Sequence, residues 1–281
     1  MRYWIVLAAS CFLIFCSSEQ LLSLEKEQSK RSIILRCRPT GLFSTFDDVL
    51  SLCKSYEQGL YSGIEVNFGK WGYYYEKSYG FNWWNYYCEP ICCGAKNRPK
   101  TITGHDPWEI ELNTSRDEAW ELIQKYIFVK EEILEEVDQF CDENFDGGLV
   151  VGVHYRGTDK YTEAPLLSYK KMVEQIFDIT EKHGLEEFKV FLATDEEGFL
   201  NYMISIFGNR LCFKEDTSRS TDGKPIHYNQ PHPYQSGKDA IIDALLLSRC
   251  DILIRTSSNL SRWSTYFNPT ISVYEVSQRY K

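Results

Sequence analysis

From residue 149 onward, short apolar runs alternate with amphipathic stretches, and the alternation predicts strand followed by helix throughout this half. Leu149 to His154, Phe188 to Ala193, Leu211 to Phe213, Asp251 to Ile254 and Ile271 to Val276 read as strands. Leu166 to Lys182, a stretch ending at Phe207, Gly237 to Arg249 and Leu260 to Phe267 read as helices, the first stopped at Gly184. This order predicts a doubly wound parallel sheet. Lys214 to Gln235 is rich in turn formers, lacks a period and reads as a long loop.

Upstream the pattern is less regular. Ser32 to Cys37 and Gly63 to Phe68 read as strands around a helix from about Ser44 to Gln58, with Ser44 as its cap and Asp47 in its first turn. Residues 71 to 87 hold ten aromatics in seventeen positions with neither a helical nor a strand period. We expect an elaborated loop there, its rings serving as core rather than as a sugar platform. One long helix is predicted from the capping box Ser115-Arg-Asp-Glu118 through Ile123, Ile127, Leu134 and Val137 to about Cys141. Asp146-Gly-Gly148 turns the chain, which divides it into α/β domains of residues 30-145 and 146-281.

The N-terminus has its own pattern. Tyr3 to Phe15 is apolar, follows Arg2 and precedes Cys16-Ser17-Ser18, and its thirteen residues are too few to span a bilayer. Residues 1-18 therefore read as a signal peptide or a short N-terminal anchor, with membrane contact through this segment alone. The expected destination is the secretory pathway and Golgi lumen, the periplasm or the outside. With 281 residues, 43% of them apolar, the chain can bury one large or two modest cores. Lys+Arg of 31 against Asp+Glu of 40, net −9, excludes a broad basic face for nucleic acid. Ten cysteines, two of them in the leader, predict disulfides in an exported chain. Cys88, Cys92 and Cys93 have no second pair at zinc-site spacing, so no metal site is expected.

In an open α/β sheet, ligands bind beyond the carboxyl ends of the strands. The segments at those ends are His154-Tyr-Arg-Gly-Thr-Asp-Lys160, Thr194-Asp195 and Arg255-Thr-Ser-Ser-Asn259. Arg156 offers a rigid fork of donors for two phosphate oxygens, and Gly157 lets the backbone approach a ligand closely. Thr256, Ser257, Ser258 and Asn259 precede a helix, where amides and hydroxyls can hold an anion. These residues predict a diphosphate cradle that is neither a P-loop nor a dinucleotide fingerprint, since neither glycine pattern occurs. Bland roles stand beside these: an ion pair for Arg156, a core histidine at His154, a helix cap at Asp195, a solvated helix face for Asp243.

Three motifs, in order across residues 149 to 276, resemble those of the α1,6-fucosyltransferase and protein O-fucosyltransferase superfamily. The first is Val153-His-Tyr-Arg-Gly-Thr-Asp-Lys160 with Thr162-Glu163, the second Phe191-Leu-Ala-Thr-Asp195, and the third the run from Asp243 to Ser258. The resemblance implies two Rossmann-like domains of the GT-B type and inverting transfer of fucose from GDP-fucose to a glycan or glycosylated acceptor, without a metal cofactor. It implies Arg156 on the β-phosphate, His154 and Asp243 on the nucleoside, Ser258 on the phosphates and Glu163 as catalytic base. Gly157, Asp159, Lys160, Asp195, Thr256 and Ser257 would complete the donor site. The sequence departs from the pattern at Gly157, where the α1,6 enzymes carry a second Arg, and in a Lys160 to Glu163 run one residue shorter. Transfer from another nucleotide sugar, or glycan binding without turnover, is the alternative.

Overall fold

The computed structural model describes residues 30–104, 114–158, 167–223 and 231–276. Residues 1-18, the expected signal peptide or anchor, and three of the candidate site residues, Asp159, Lys160 and Glu163, lie outside the described residues.

The first sheet is built around β1 (Ser32–Arg36) and β2 (Gly63–Val66), paired in parallel with Ile33 opposite Ile64 and Leu35 opposite Val66. Between them runs α1 (Leu42–Glu57), so thoroughly enclosed that it buries Asp47, Asp48 and Ser51 as well as its apolar residues. The helix starts at Gly41, and Ser44 lies within its first turn rather than capping it. Two strands were not legible in the sequence: β3 (Cys92–Gly94), antiparallel to β2, and β4 (Lys100–Thr103), parallel to β1. Both are short and mostly exposed, so neither carries an apolar alternation. The sheet order is β3-β2-β1-β4.

The aromatic block folds as two short 3-10 turns, Lys77–Tyr79 and Trp83–Tyr86. Trp83, Trp84 and Tyr87 are fully buried, whereas Trp71, Tyr79 and Phe81 are exposed. The block is therefore core on one side only. The single helix expected from Ser115 is two: α2 (Arg116–Tyr126), capped by the Ser115 side chain, and α3 (Glu131–Asn144). The break falls where the backbone pairs with residues after the aromatic block, Glu89 donating to Phe128 and Lys130 to Tyr87. Those bonds outcompete helical ones because they satisfy the 87–89 segment as well.

In the second half, β5 (Val150–Tyr155), α4 (Tyr169–Lys182), β6 (Lys189–Thr194), α5 (Glu197–Phe207) and β7 (Leu211–Cys212) lead to α6 (Pro233–Ser248). Then come β8 (Ile252–Arg255), α7 (Asn259–Phe267) and β9 (Ser272–Glu275). All five strands are parallel in the order β7-β6-β5-β8-β9. This is the doubly wound sheet that the alternation predicts, and its order reverses between β5 and β8. Helix α6 begins at Pro233 rather than Gly237, because proline fits a first helical turn, where its missing N–H is no loss.

One hydrophobic core runs from the first sheet through α1 into α6 and α7. Disulfides, expected from the cysteine count, are absent among the described residues, whose eight cysteines are all free thiols. Cys37, Cys53, Cys88, Cys212 and Cys250 are buried as small apolar side chains. Burial pushes the Cys37 and Cys212 thiols up to about 12, far from reactive thiolates.

A polar contact also crosses that core. Asp47 of α1 accepts from the indole Nε1 of Trp263 at 2.8 Å and from the Arg262 guanidinium, both on α7. Burial pushes its carboxyl up to about 6, against the pull of Arg262 and Trp263. Asp47→Ala removes the acceptor of both donors, and breaking such a buried pair should cost about 3 kcal/mol. Urea unfolding of the variant should show the correspondingly lower midpoint; an unchanged midpoint would mean that α1 and α7 are held by apolar packing alone.

Candidate functional site

The β5–β8 reversal point opens into a cavity of about 440 Å³ that also takes in the loop after β1. It brings together His154 and Arg156 after β5, Asp195 after β6, Asp243 of α6 and Ser258 before α7. The first half adds Pro39 to Ser44 and Tyr74.

The loop ends are stitched to one another. Thr256 donates its N–H to the His154 carbonyl at 3.0 Å, and its hydroxyl accepts the Arg156 N–H at 2.9 Å. Asp195 accepts from the Gly157 N–H at 3.0 Å and the Thr158 hydroxyl at 2.7 Å, with the Arg156 Nε 3.8 Å away. Thr256 is buried and, with Gly157 and the exposed Ser257, stands back from the cavity lining. Asp195 lines the cavity, yet both of its oxygens already accept protein donors. It shapes the Arg156 loop instead of capping α5, whose N-cap position is held by Glu196.

Gly157 leaves a space that the Glu196 side chain fills. A Cβ there would overlap the Glu196 carboxylate, which accepts from the Tyr169 hydroxyl at 2.8 Å. The volume into which any longer side chain at 157 would grow is thus filled, and burial raises the Glu196 carboxyl.

Two helices begin at the cavity. The first turn of α1 contributes Leu42, whose N–H donates to the Tyr74 hydroxyl at 2.9 Å, and the start of α7 contributes Ser258, Asn259 and Leu260. Neither N-cap residue, Gly41 or Ser258, caps its helix through its own side chain, and although Tyr74 takes the Leu42 amide, the positive ends of both helix dipoles favour an anion beside Arg156. Acidic groups line the same cavity. Asp239 and Asp243, one turn apart on α6, both face the cavity, and burial followed by the Asp239 charge pushes the Asp243 carboxyl up to about 7. Arg219 and Lys214 pull it down.

Sequence reasoning missed Pro39 to Ser44, Tyr74, Thr217, Ser218, Ser236 and Asp239. The carboxyl-end rule applied to β1 would have found the first group, and the i, i+4 spacing from Asp243 would have found Asp239. Tyr74 carries no signal separating it from the other rings of its block.

Two Rossmann-like sheets with a cleft between them define the GT-B architecture of glycosyltransferases. The chain belongs to the Nodulation protein Z (NodZ) family, whose profile matches residues 111–279. Nodulation protein Z of Azorhizobium caulinodans is 28% identical over 152 residues, covering 49% of this chain and 44% of that protein, so the match spans less than half of the relative. The crystal structure of NodZ α1,6-fucosyltransferase soaked with GDP-fucose superposes with a TM-score of 0.55 at 18% identity, covering 85% of this chain and 94% of the other. A mutant of Arabidopsis thaliana FUT1 in complex with GDP gives a TM-score of 0.51 at 12% identity, covering 90% and 74%. At these identities the two structures establish the fold.

The raised Asp243 carboxyl sets a pH dependence. Its folded-state value of about 7 lies above the ordinary carboxylate value near 3.9, so the folded state keeps a proton that the unfolded state has released. That contribution is complete below about pH 4 and is lost as pH rises through 7. Asp243→Asn should therefore raise the thermal midpoint at pH 8 and leave it nearly unchanged at pH 4. Equal shifts at both pH values would show that Asp243 ionises normally in the fold.

Proposed function

We propose that the chain is an inverting glycosyltransferase that moves fucose from GDP-fucose to a glycan or glycosylated acceptor. The observation that carries this reading is the cavity itself, which is lined by Arg156, the starts of α1 and α7 and the buried carboxylates Asp239 and Asp243. A diphosphate suits the guanidinium and the helix starts, and the hydrogen-bond donors of a nucleoside suit the carboxylates. Family membership supports the same donor, which was soaked into the NodZ crystal.

In this reading the forked guanidinium of Arg156 binds the diphosphate, with Ser258 and the α7 amides beside it. His154 and Asp243 face the nucleoside. Inversion needs one in-line displacement: an acceptor oxygen attacks C1, the bond from C1 to the phosphate oxygen breaks, and GDP leaves with that electron pair. Glu163 takes the acceptor proton, and Arg156 stabilises the charge that develops on the departing diphosphate. We assign this neutralisation to protein groups rather than to a cation because the sequence has no Asp-x-Asp signature. Residues 146-281 would hold the donor and 30-145 the acceptor, with the leader directing the protein to a secretory lumen, the periplasm or the outside.

Release of GDP from GDP-fucose in the presence of glycans tests the activity, with UDP-sugars as controls. Arg156→Lys cannot reproduce a planar bidentate contact, and charged hydrogen bonds are worth about 1.5–3 kcal/mol, so GDP affinity should fall at least ~10-fold by titration calorimetry. Unchanged affinity would remove Arg156 from the cradle. Glu163→Gln should keep GDP affinity while turnover falls by about 100 to 10,000-fold, the contribution of a positioned proton acceptor. Turnover within a few-fold of the parent would move the base elsewhere.

A further inference from the structure

The exposed side of the aromatic block lies at the carboxyl edge of the first sheet, close to where the chain after β1 enters the cavity. Trp71 and Phe81 are the two most exposed large apolar side chains of the described residues, at 62% and 64%. Both are fixed to one turn. The Trp71 N–H donates to the Phe68 carbonyl at 3.3 Å, and the Trp71 carbonyl accepts the indole N–H of buried Trp83. The Asn82 side chain accepts from the Phe68 N–H and donates to the Val66 carbonyl, both at 2.9 Å, which pins the adjacent Phe81 to the end of β2.

Polar groups lie beside the Phe81 ring. A Cβ on Gly69 would stand 3.3 Å from the Phe81 ring and 3.6 Å from the Arg36 guanidinium, so both flank one glycine whose φ of +58° keeps the turn tight. Arg36 donates to the backbone and side-chain oxygens of Asn67, both at 2.6 Å, and Asn67 donates to Glu65 at 3.3 Å. Burial alone would raise the Glu65 carboxyl, but hydrogen bonds from Lys96 and Asn67 and the charges of Lys96 and Arg36 bring it below its ordinary range. Tyr74, three residues beyond Trp71, lines the cavity.

We propose that Trp71 and Phe81, with the Arg36–Asn67–Glu65 group beside Phe81, form an acceptor subsite that stacks a pyranose of the glycan. The reasons are chemical. Exposed rings carried on a hydrogen-bonded turn, with planar polar groups beside one of them, match a sugar, which has a flat C–H face and a perimeter of hydroxyls. An axial substituent obstructs one face of a pyranose whereas equatorial ones leave both faces flat, so the occupant we assign is a pyranose with equatorial hydroxyls. The subsite rests on the glycosyltransferase reading for its role, since a glycan stacked here would run along the sheet edge toward Tyr74 and the donor.

The test uses the full chain and a β-1,4-linked glucose pentasaccharide, whose substituents are all equatorial, with an α-linked mannose oligosaccharide as control. The parent should bind the glucan in calorimetric titration more tightly than the mannan. Trp71→Ala and Phe81→Ala should each weaken glucan binding at least ~10-fold, Trp71→Phe and Phe81→Tyr should restore it, and GDP affinity should stay within twofold throughout. A parent that does not bind the glucan, or alanine variants that bind it as tightly as the parent, would overturn the subsite. Failure of the glycosyltransferase reading looks different: the parent would bind neither GDP nor GDP-fucose, whatever the glucan does.

Discussion

The buried carboxylate of Asp47 is the interaction on which the geometry of the cavity depends. It sits in the second turn of α1 and holds Arg262 and Trp263 in the first turns of α7. Both helices begin at the cavity, so the clamp fixes the separation and angle of the two N-termini that face an anion. A carboxylate enclosed this completely is costly unless charged and neutral donors both meet it. Here the guanidinium and indole do so, and the neighbouring Asp48 is held by a bidentate contact from Arg38 at 2.7 and 3.0 Å. The start of α1 is thereby tied to the β1 loop on one side and to α7 on the other. Apolar packing alone would tolerate sliding of one helix along the other, whereas these directional contacts specify one register.

The aromatic block supplies the second tie. The Tyr87 hydroxyl donates to the Tyr234 carbonyl at 2.9 Å, and the Tyr234 ring stacks on Tyr79 at 3.7 Å between centroids. The approach is close enough that a Cβ on Gly237 would overlap the Tyr87 hydroxyl. The first turns of α6 are therefore docked on the first half, and the Asp239–Asp243 wall is set by contacts made a turn or more earlier. All three helices bordering the cavity are thus oriented from outside it. Arg156, by contrast, is placed locally through the Asp195 and Thr256 contacts at the sheet edge.

This division explains what could be read from the sequence. The strand–helix alternation and the residues after β5, β6 and β8 follow from periodicity plus one topological rule, so His154, Arg156, Asp195 and Ser258 gather at one rim, whereas Asp243, inside a helix, comes only from the family resemblance. Periodicity says nothing about which buried carboxylate finds which partner across more than two hundred residues, and Asp47 looked like an ordinary first-turn acid. The same limit applies to Ser44, a plausible cap lying inside a helix whose start is set by the Tyr74 hydroxyl. It applies to β3 and β4, which are strands because of their neighbours. The cysteines misled for a different reason: their number suggested an oxidised scaffold, but the chain uses most of them as buried apolar groups.

Gly157 shows how a departure from a family pattern can be structural in origin. A second arginine at this position in the α1,6 enzymes adds positive charge close to Arg156, and its replacement by glycine would by itself only open a gap. The gap is occupied by Glu196, which Tyr169 holds across it and whose neighbour Asp195 braces the Gly157 backbone. Next to the Arg156 loop this chain thus places a carboxyl and no second guanidinium. The positive potential of the cavity is correspondingly concentrated on Arg156 and the two helix starts. Restoring the arginine alone would not recreate the family pattern, because its side chain would have to displace Glu196 and, with it, the Tyr169 contact to α4.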